Sequence, residues 1–155
     1  MFSYLLFFHS AVRWLVLLTL IYTIFNSLIK YKRNAVFTKL DNKLRHWTAT
    51  TAHIQLMLGM VLYFKSPAVA QYRAVGQAAG QRIGEPLFFS WIHISMMILS
   101  ILIITFGSAV SKRQETDQQK FKVIWLYFGL ALLIILAAIP WPFSPLAQRP
   151  FLRRY

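Results

Sequence analysis

Four long apolar runs, each closed off by charge, constrain this chain more than any other feature. They cover residues 4–29, 47–64, 87–110 and 123–139. Each is about 17 to 26 residues long, and a helix rising 1.5 Å per residue needs about 20 to cross a hydrocarbon core of ~30 Å. A soluble domain of 155 residues has no use for four such runs. The pattern predicts an all-α integral membrane protein, an up-down bundle of four transmembrane helices at about 4–29, 43–64, 87–110 and 121–139. Residues 1–155 read as one domain, with an outer loop at 65–86 and a basic tail at 140–155. The first run reads as a span rather than a cleavable signal peptide: it is too long, has no basic leader, and no small-residue cleavage site follows it.

The net charge is +13, which in a soluble chain would suggest nucleic acid. Its distribution points to topology instead. The first and third connections carry Lys30, Lys32, Arg33, Lys39, Lys43, Arg45, Lys112, Arg113, Lys120 and Lys122. The opposite side carries Lys65, Arg73, Arg82, Arg149, Arg153 and Arg154. Ten against six places those two connections in the cytoplasm and both termini outside. The same charges attract anionic lipid, and no nucleic-acid partner is expected. The chain has no cysteine, which excludes disulfides, thiolate metal sites, covalently attached haem and cysteine-held iron–sulfur clusters.

Ionisable residues inside a bilayer are costly and point to a site. His9, His53 and His93 fall inside three separate runs. Counting helix rise from the outer boundary, His9 and His93 are both about 9 Å deep and His53 about 17 Å deep. His46 is about 10 Å further in and reads as interfacial, beside Trp47. First and third helices are diagonal in an up-down bundle, so His9, His53 and His93 are expected to form one cluster in the outer half. Arg13 shares a helix face with His9. A buried arginine needs an acid or phosphate. The choices are an Arg13–Glu85 pair, Arg13 on a haem propionate, or a side chain that snorkels to the headgroups. On the second helix His46, Thr50, His53, Met57 and Met60 share a face; on the third His93 aligns with Met96, Met97 and Ser100. Methionine stripes of this kind usually mean core packing, and Asn26 and Gln55 read as interhelical hydrogen-bonding groups.

Local signals set the boundaries. Asp41 and Asn42 are candidate caps for the second helix, and Lys65-Ser66-Pro67 ends it. The stretch that follows is rich in Ala, Gly and Gln, and its glycines weaken any short helix there. Glu85-Pro86 opens the third helix, and Pro140-Trp141-Pro142 stops the fourth.

The chain resembles a family of small four-helix membrane proteins of Bacteroidetes-type bacteria, often labelled "cytochrome B". The resemblance is carried by His9-Ser10-x-x-Arg13-Trp14, His53-x-Gln55-Leu56-x-x-Gly59-x-x-Leu62-Tyr63-Phe64, Glu85, the region of His93 and Met96-Met97, and Pro140-Trp141-Pro142. It spans nearly the whole chain. It departs from the family's pattern where the third helix begins: Glu85 precedes Pro86, and the histidine follows only at His93. What the resemblance implies is a b-type haem protein of the bacterial inner membrane.

On this reading two of His9, His53 and His93 ligate haem iron, with His9 and His93 favoured by depth and His53 the alternative ligand. Arg13 neutralises a propionate, and electrons pass to or from quinol or a partner subunit. The competing expectation is a haem-free accessory or structural subunit of a larger inner-membrane complex. A redox enzyme acting on quinol or a porphyrinogen is a third reading, and a zinc ion on three histidines a fourth. Nucleophilic catalysis is not indicated, since there is no cysteine and no Ser–His–acid spacing.

Overall fold

A computed structural model describes residues 2–75, 84–144 and 147–151. The described residues form five helices and no strand. These are α1 (Phe2–Lys32), α2 (Lys39–Lys65), α3 (Pro67–Val75), α4 (Glu85–Arg113) and α5 (Asp117–Ala138).

The helix ends follow local chemistry. Lys30 and Lys32 occupy the last turn of α1, where cations favour the negative end of the helix dipole. Asn34, at φ 50°, then turns the chain through the left-handed region that asparagine tolerates. The Ala35 N–H donates to the Lys30 carbonyl at 3.1 Å and that of Asn34 to Tyr31 at 3.3 Å, which satisfies the last carbonyls. The cap of α2 is Thr38 rather than Asp41 or Asn42. Its hydroxyl accepts from the Asp41 N–H at 3.3 Å, while the Asp41 carboxylate accepts from the Thr38 N–H at 3.0 Å. Asp41 is thus the reciprocal acid of a capping box, and the helix begins four residues earlier than the expected start at 43. Thr116 caps α5 by accepting from the Gln119 N–H at 3.3 Å.

The stretch after α2, expected as a loop, opens with the nine-residue helix α3. Pro67 suits its first position, since a proline there gives up no needed N–H. The rest of that expected loop, residues 76–83, lies outside the described residues, as do 152–155 of the basic tail.

Helix α1 packs on α2 and α5, α2 packs on α4, and α4 packs on α5, so the four long helices close into a ring with α1 and α4 diagonal. Their shared core includes Val16, Leu20, Ala52, Ile104, Phe128 and Ile135. Gly107 lets α4 and α5 approach closely: a methyl group there would lie 2.3 Å from the Tyr127 Cβ.

Helices α1, α4 and α5 are long and apolar enough to cross a membrane. The outer surface agrees: Leu18, Phe64, Phe106 and Leu133 are all exposed, as lipid-facing side chains would be. The chain therefore reads as a multi-pass membrane protein. Helix α2 is not among the three, although the sequence pattern suggests four. Its first half carries Lys39, Asp41, Lys43 and Arg45 along with His46 and several threonines.

Three of its polar residues, Asp41, Arg45 and Thr48, are nonetheless buried. Asp41 receives Lys30 at 2.7 and 2.8 Å and the Asn26 amide at 3.0 Å. Burial pushes its carboxyl up, but hydrogen bonds from Lys30, Thr38 and Asn26 outweigh this and hold it down at about 2. Arg45, expected in a solvated connection, is instead fully buried. It donates to the Ser108 carbonyl at 3.1 Å, to the Ser108 hydroxyl, and to the Asn42 side chain at 2.7 Å. Thr23 and Thr48 pair across α1 and α2 at 2.7 Å.

A candidate ligand cavity beneath the C-terminal segment

At the opposite end from Asp41, a cavity of about 380 Å³ opens between the helices. It lies within the range of ~300–1,000 Å³ found for small-molecule sites, and its walls are mainly apolar. Leu6, Leu56, Met60, Met97, Ile101 and Ile135 supply much of that wall. The polar exceptions are few: His9, Ser10 and Arg13 from α1, Gln55 and Tyr63 from α2, Ser66 just beyond it, His93 from α4, and Arg149 from the segment 147–151.

His9 is pinned to α2. The Gln55 side-chain amide donates to the His9 carbonyl at 2.9 Å and lies 3.3 Å from its ring Nε2. Both amide hydrogens are thereby used, which makes Nε2 the acceptor and leaves the proton on Nδ1. That Nδ1, like the Gln55 Oε1, is buried and has no partner among the described residues. The ring lies against Gly59, where an added methyl carbon would stand 3.2 Å from the His9 Cε1.

His93 is positioned by two helix irregularities. Residues Phe88–Ile92 form a π turn inside α4, and His93 follows directly, its N–H donating to the Phe88 carbonyl. Such turns insert a residue, swing the side chains that follow, and are frequent at functional sites. The Tyr63 hydroxyl donates to the Ser90 carbonyl within this turn at 3.3 Å. Phe88 and Phe89 flank the His93 ring with centroids at 5.7 and 5.9 Å. The ring Nδ1 donates to the Ala138 carbonyl at 2.8 Å. That carbonyl is available because α5 ends at Ala138, and the last carbonyls of a helix lack intrahelical donors. The bond fixes the tautomer, so Nε2 keeps the lone pair.

Arg13 does not pair with Glu85. Glu85 is bound by Arg149 at 2.7 and 2.5 Å, and the Arg149 guanidinium also lies 5.2 Å from the centre of the Phe89 ring. Arg13 instead donates through Nη2 to the Phe151 carbonyl at 2.5 Å. The Trp14 indole N–H donates to the same oxygen at 3.1 Å. The Arg13 Nε is buried without a partner among the described residues.

His53 does not join His9 and His93. It is exposed, its Nδ1 2.7 Å from the Ala49 carbonyl and its Nε2 3.1 Å from the Thr105 hydroxyl. Helix α2 turns Ala52, Gln55, Leu56 and Gly59 toward the cavity, and His53, one residue from Ala52, is carried about 100° around the axis. The expected three-histidine cluster is therefore two histidines. Among the described residues no group of three His, Cys, Asp or Glu side chains could hold a metal ion. His46 is exposed beside Trp47, with ring centroids at 5.9 Å. The methionine stripe splits: Met60 and Met97 line the cavity, and Met57 faces outward.

Sequence reasoning missed Gly59 as the seat of His9, Tyr63 as the brace of the π turn, and Arg149 as the partner of Glu85. Ala52, Gln55, Leu56 and Gly59 do share one helical face, and that small and polar stripe was the available signal. Nothing local marks Arg149. Chemically, the cavity suits a mainly apolar ligand with an anionic end, presented to two imidazoles on diagonal helices and to the Arg13 guanidinium. Comparison with protein-family models, with curated proteins and with solved structures finds no match to this chain.

Proposed function

We propose that the chain is a four-span bundle of a bacterial inner membrane, both termini outside, whose cavity holds haem b and relays electrons to or from quinol or a partner subunit. The observation that carries this reading is His93. It lines the cavity, and its Nδ1–H is engaged by the Ala138 carbonyl at 2.8 Å, which leaves Nε2 as the iron-binding nitrogen. Metal-ligating histidines are typically held this way, by a hydrogen bond from the other ring nitrogen. Haem there would supply a one-electron couple.

The chain's own residues fit the group. His9, on the diagonal helix, lines the same cavity and is the candidate second ligand, once Gln55 releases its Nε2. Arg13 is placed to neutralise a propionate, and the apolar walls exclude water from the ring. Arg45 and Thr48 of α2 are buried against the neighbouring helices, away from lipid, and this supports a fourth span. At 27 residues, α2 is about 40 Å long. The excess of basic residues on two connections supports the orientation. The resemblance to the small "cytochrome B" proteins points the same way.

The test is an absorption spectrum of the purified, reduced protein after expression with haem supplied. A Soret band and a sharp α-band are expected, lost in His93→Ala. No Soret band would end the proposal.

One observation favours a second reading, an accessory subunit of a larger complex. His46, Trp47, His53 and Met57 are exposed on the outer side of α2. A histidine–threonine pair is a poor neighbour for lipid, and a partner helix would cover it. Stoichiometric co-purification, with normal assembly of His9→Ala and His93→Ala, would support that reading over the first.

A further inference from the structure

The mouth of the cavity contains an oxygen site that the chain fills with itself. The Arg13 guanidinium and the Trp14 indole N–H converge on one acceptor, the Phe151 carbonyl, at 2.5 and 3.1 Å. That acceptor is neutral. The chain has four acidic side chains. Glu85 is held by Arg149, and Asp41, Glu115 and Asp117 lie at the other end of the helices, so no side-chain carboxylate reaches Arg13. Arg13 also keeps a buried Nε without a partner among the described residues. A guanidinium prefers a carboxylate, which takes two parallel charge-assisted bonds, to a single carbonyl.

The segment supplying that carbonyl has no regular structure and crosses the cavity. Arg149 and Pro150 form part of the cavity wall, and the Phe151 ring lies between Trp14 and Trp141 at 6.4 and 6.2 Å. Its polar ties to the helices include the Phe151 carbonyl and the Arg149–Glu85 pair.

We infer that Arg13 and Trp14 form a carboxylate-binding site, and that a carboxylate-bearing amphiphile entering the cavity displaces the Phe151 carbonyl and loosens the 147–151 segment, leaving the Arg149–Glu85 pair as its polar tether. The inference deepens the haem reading, but rests on it only in counting haem propionates among the carboxylates that qualify. A long-chain fatty acid carries the same group. In either case the apolar body fills the cavity, the carboxylate takes the Arg13 donors, and the C-terminal segment moves from closed strap to open.

The absence of cysteine gives a clean test. Gln148 is exposed, and Gln148→Cys in the full chain accepts a nitroxide without competing thiols. Label mobility is read by electron paramagnetic resonance while haem binding is followed separately by the Soret band. Four probes are compared: haem, its dimethyl ester, oleate and methyl oleate. Haem and oleate are expected to raise label mobility, and each ester to do so only at about ten-fold higher concentration. Arg13→Gln should leave the label mobile from the start and remove the acid–ester difference, and Arg13→Lys should retain part of it. If acid and ester release the label equally, or if neither haem nor oleate releases it, the inference is overturned. Haem bound with the label still immobile would overturn it while leaving the haem reading standing. Release by oleate with no Soret band from haem would sustain the carboxylate site and remove haem as its ligand.

Discussion

Three helical glycines offer a graded test of where His9 sits. A methyl group at Gly59 would stand 3.2 Å from the His9 Cε1 and 3.8 Å from its Nδ1. Ordinary carbon–carbon contact is about 3.5–4.0 Å, so Gly59→Ala requires the ring to withdraw by about 0.3 to 0.8 Å. The ring is not free to do so. Its Nε2 is already 3.3 Å from the Gln55 amide, and a shift of that size takes the contact past hydrogen-bonding range. Losing one such bond costs about 1 kcal/mol, and overpacking of this kind costs about 1–3 kcal/mol. Against this, replacing a helical glycine with alanine gains about 0.4–1 kcal/mol where there is room. The net expectation for Gly59→Ala is a loss of about 1–3.5 kcal/mol. Gly129→Ala is the control: nothing lies within 4 Å of the added carbon, so it should gain the full alanine benefit. Gly107→Ala is the opposite extreme. Its new methyl would meet the Tyr127 Cβ at 2.3 Å, an atom that moves only if the helices part, and the loss should be about 3 kcal/mol or more. The assay is thermal or denaturant unfolding of the detergent-solubilised variants, followed by circular dichroism. If Gly59→Ala stabilises as much as Gly129→Ala, the His9 ring is not seated on Gly59 and the cavity geometry drawn from it is wrong.

Other expected outcomes separate the site from the scaffold. His53→Ala should leave the Soret band unchanged while His93→Ala abolishes it; the reverse pattern would show that the exposed histidine is the ligand. Asp41→Asn should cost about 1–2 kcal/mol, a range held down because its Lys30 partner is partly exposed. The native carboxyl titrates at about 2 against an ordinary 3.8. Its contribution is therefore complete above about pH 4 and fades as the pH falls through 2, so wild type and Asp41→Asn should converge in stability there. A constant gap between the two across acid titration would refute the assigned hydrogen bonds.

Much of the helical frame is legible in the amino-acid order. The helices expected at 4–29, 87–110 and 121–139 appear a few residues longer, ended by the proline, basic and threonine signals their flanks carry. Asn26 and Gln55 are interhelical donors as their placement in apolar surroundings suggested, the first to Asp41 and the second to His9. That His9 and His93 could meet is also readable, because rise along a helix is fixed by its geometry, and both line the cavity.

What the chain order could not decide is rotation. In a soluble bundle the polar face of a helix marks the outside, but against lipid both the packed and the exposed faces are apolar, so periodicity carries little facing information. That is why His53 could be placed at a depth and not on a side. It took the packing of α2 against α1 and α4 to turn Gln55 and Gly59 inward and leave His53 with Thr105. The Arg149–Glu85 pair and the Phe151 carbonyl on Arg13 are further still from local reach, since they join residues more than sixty and more than a hundred positions apart. The sequence by itself determined a chain of long apolar helices, with imidazoles on two of them able to reach one level. Only the tertiary structure decided which of its histidines share a cavity, and that its own C-terminal segment lies across the opening.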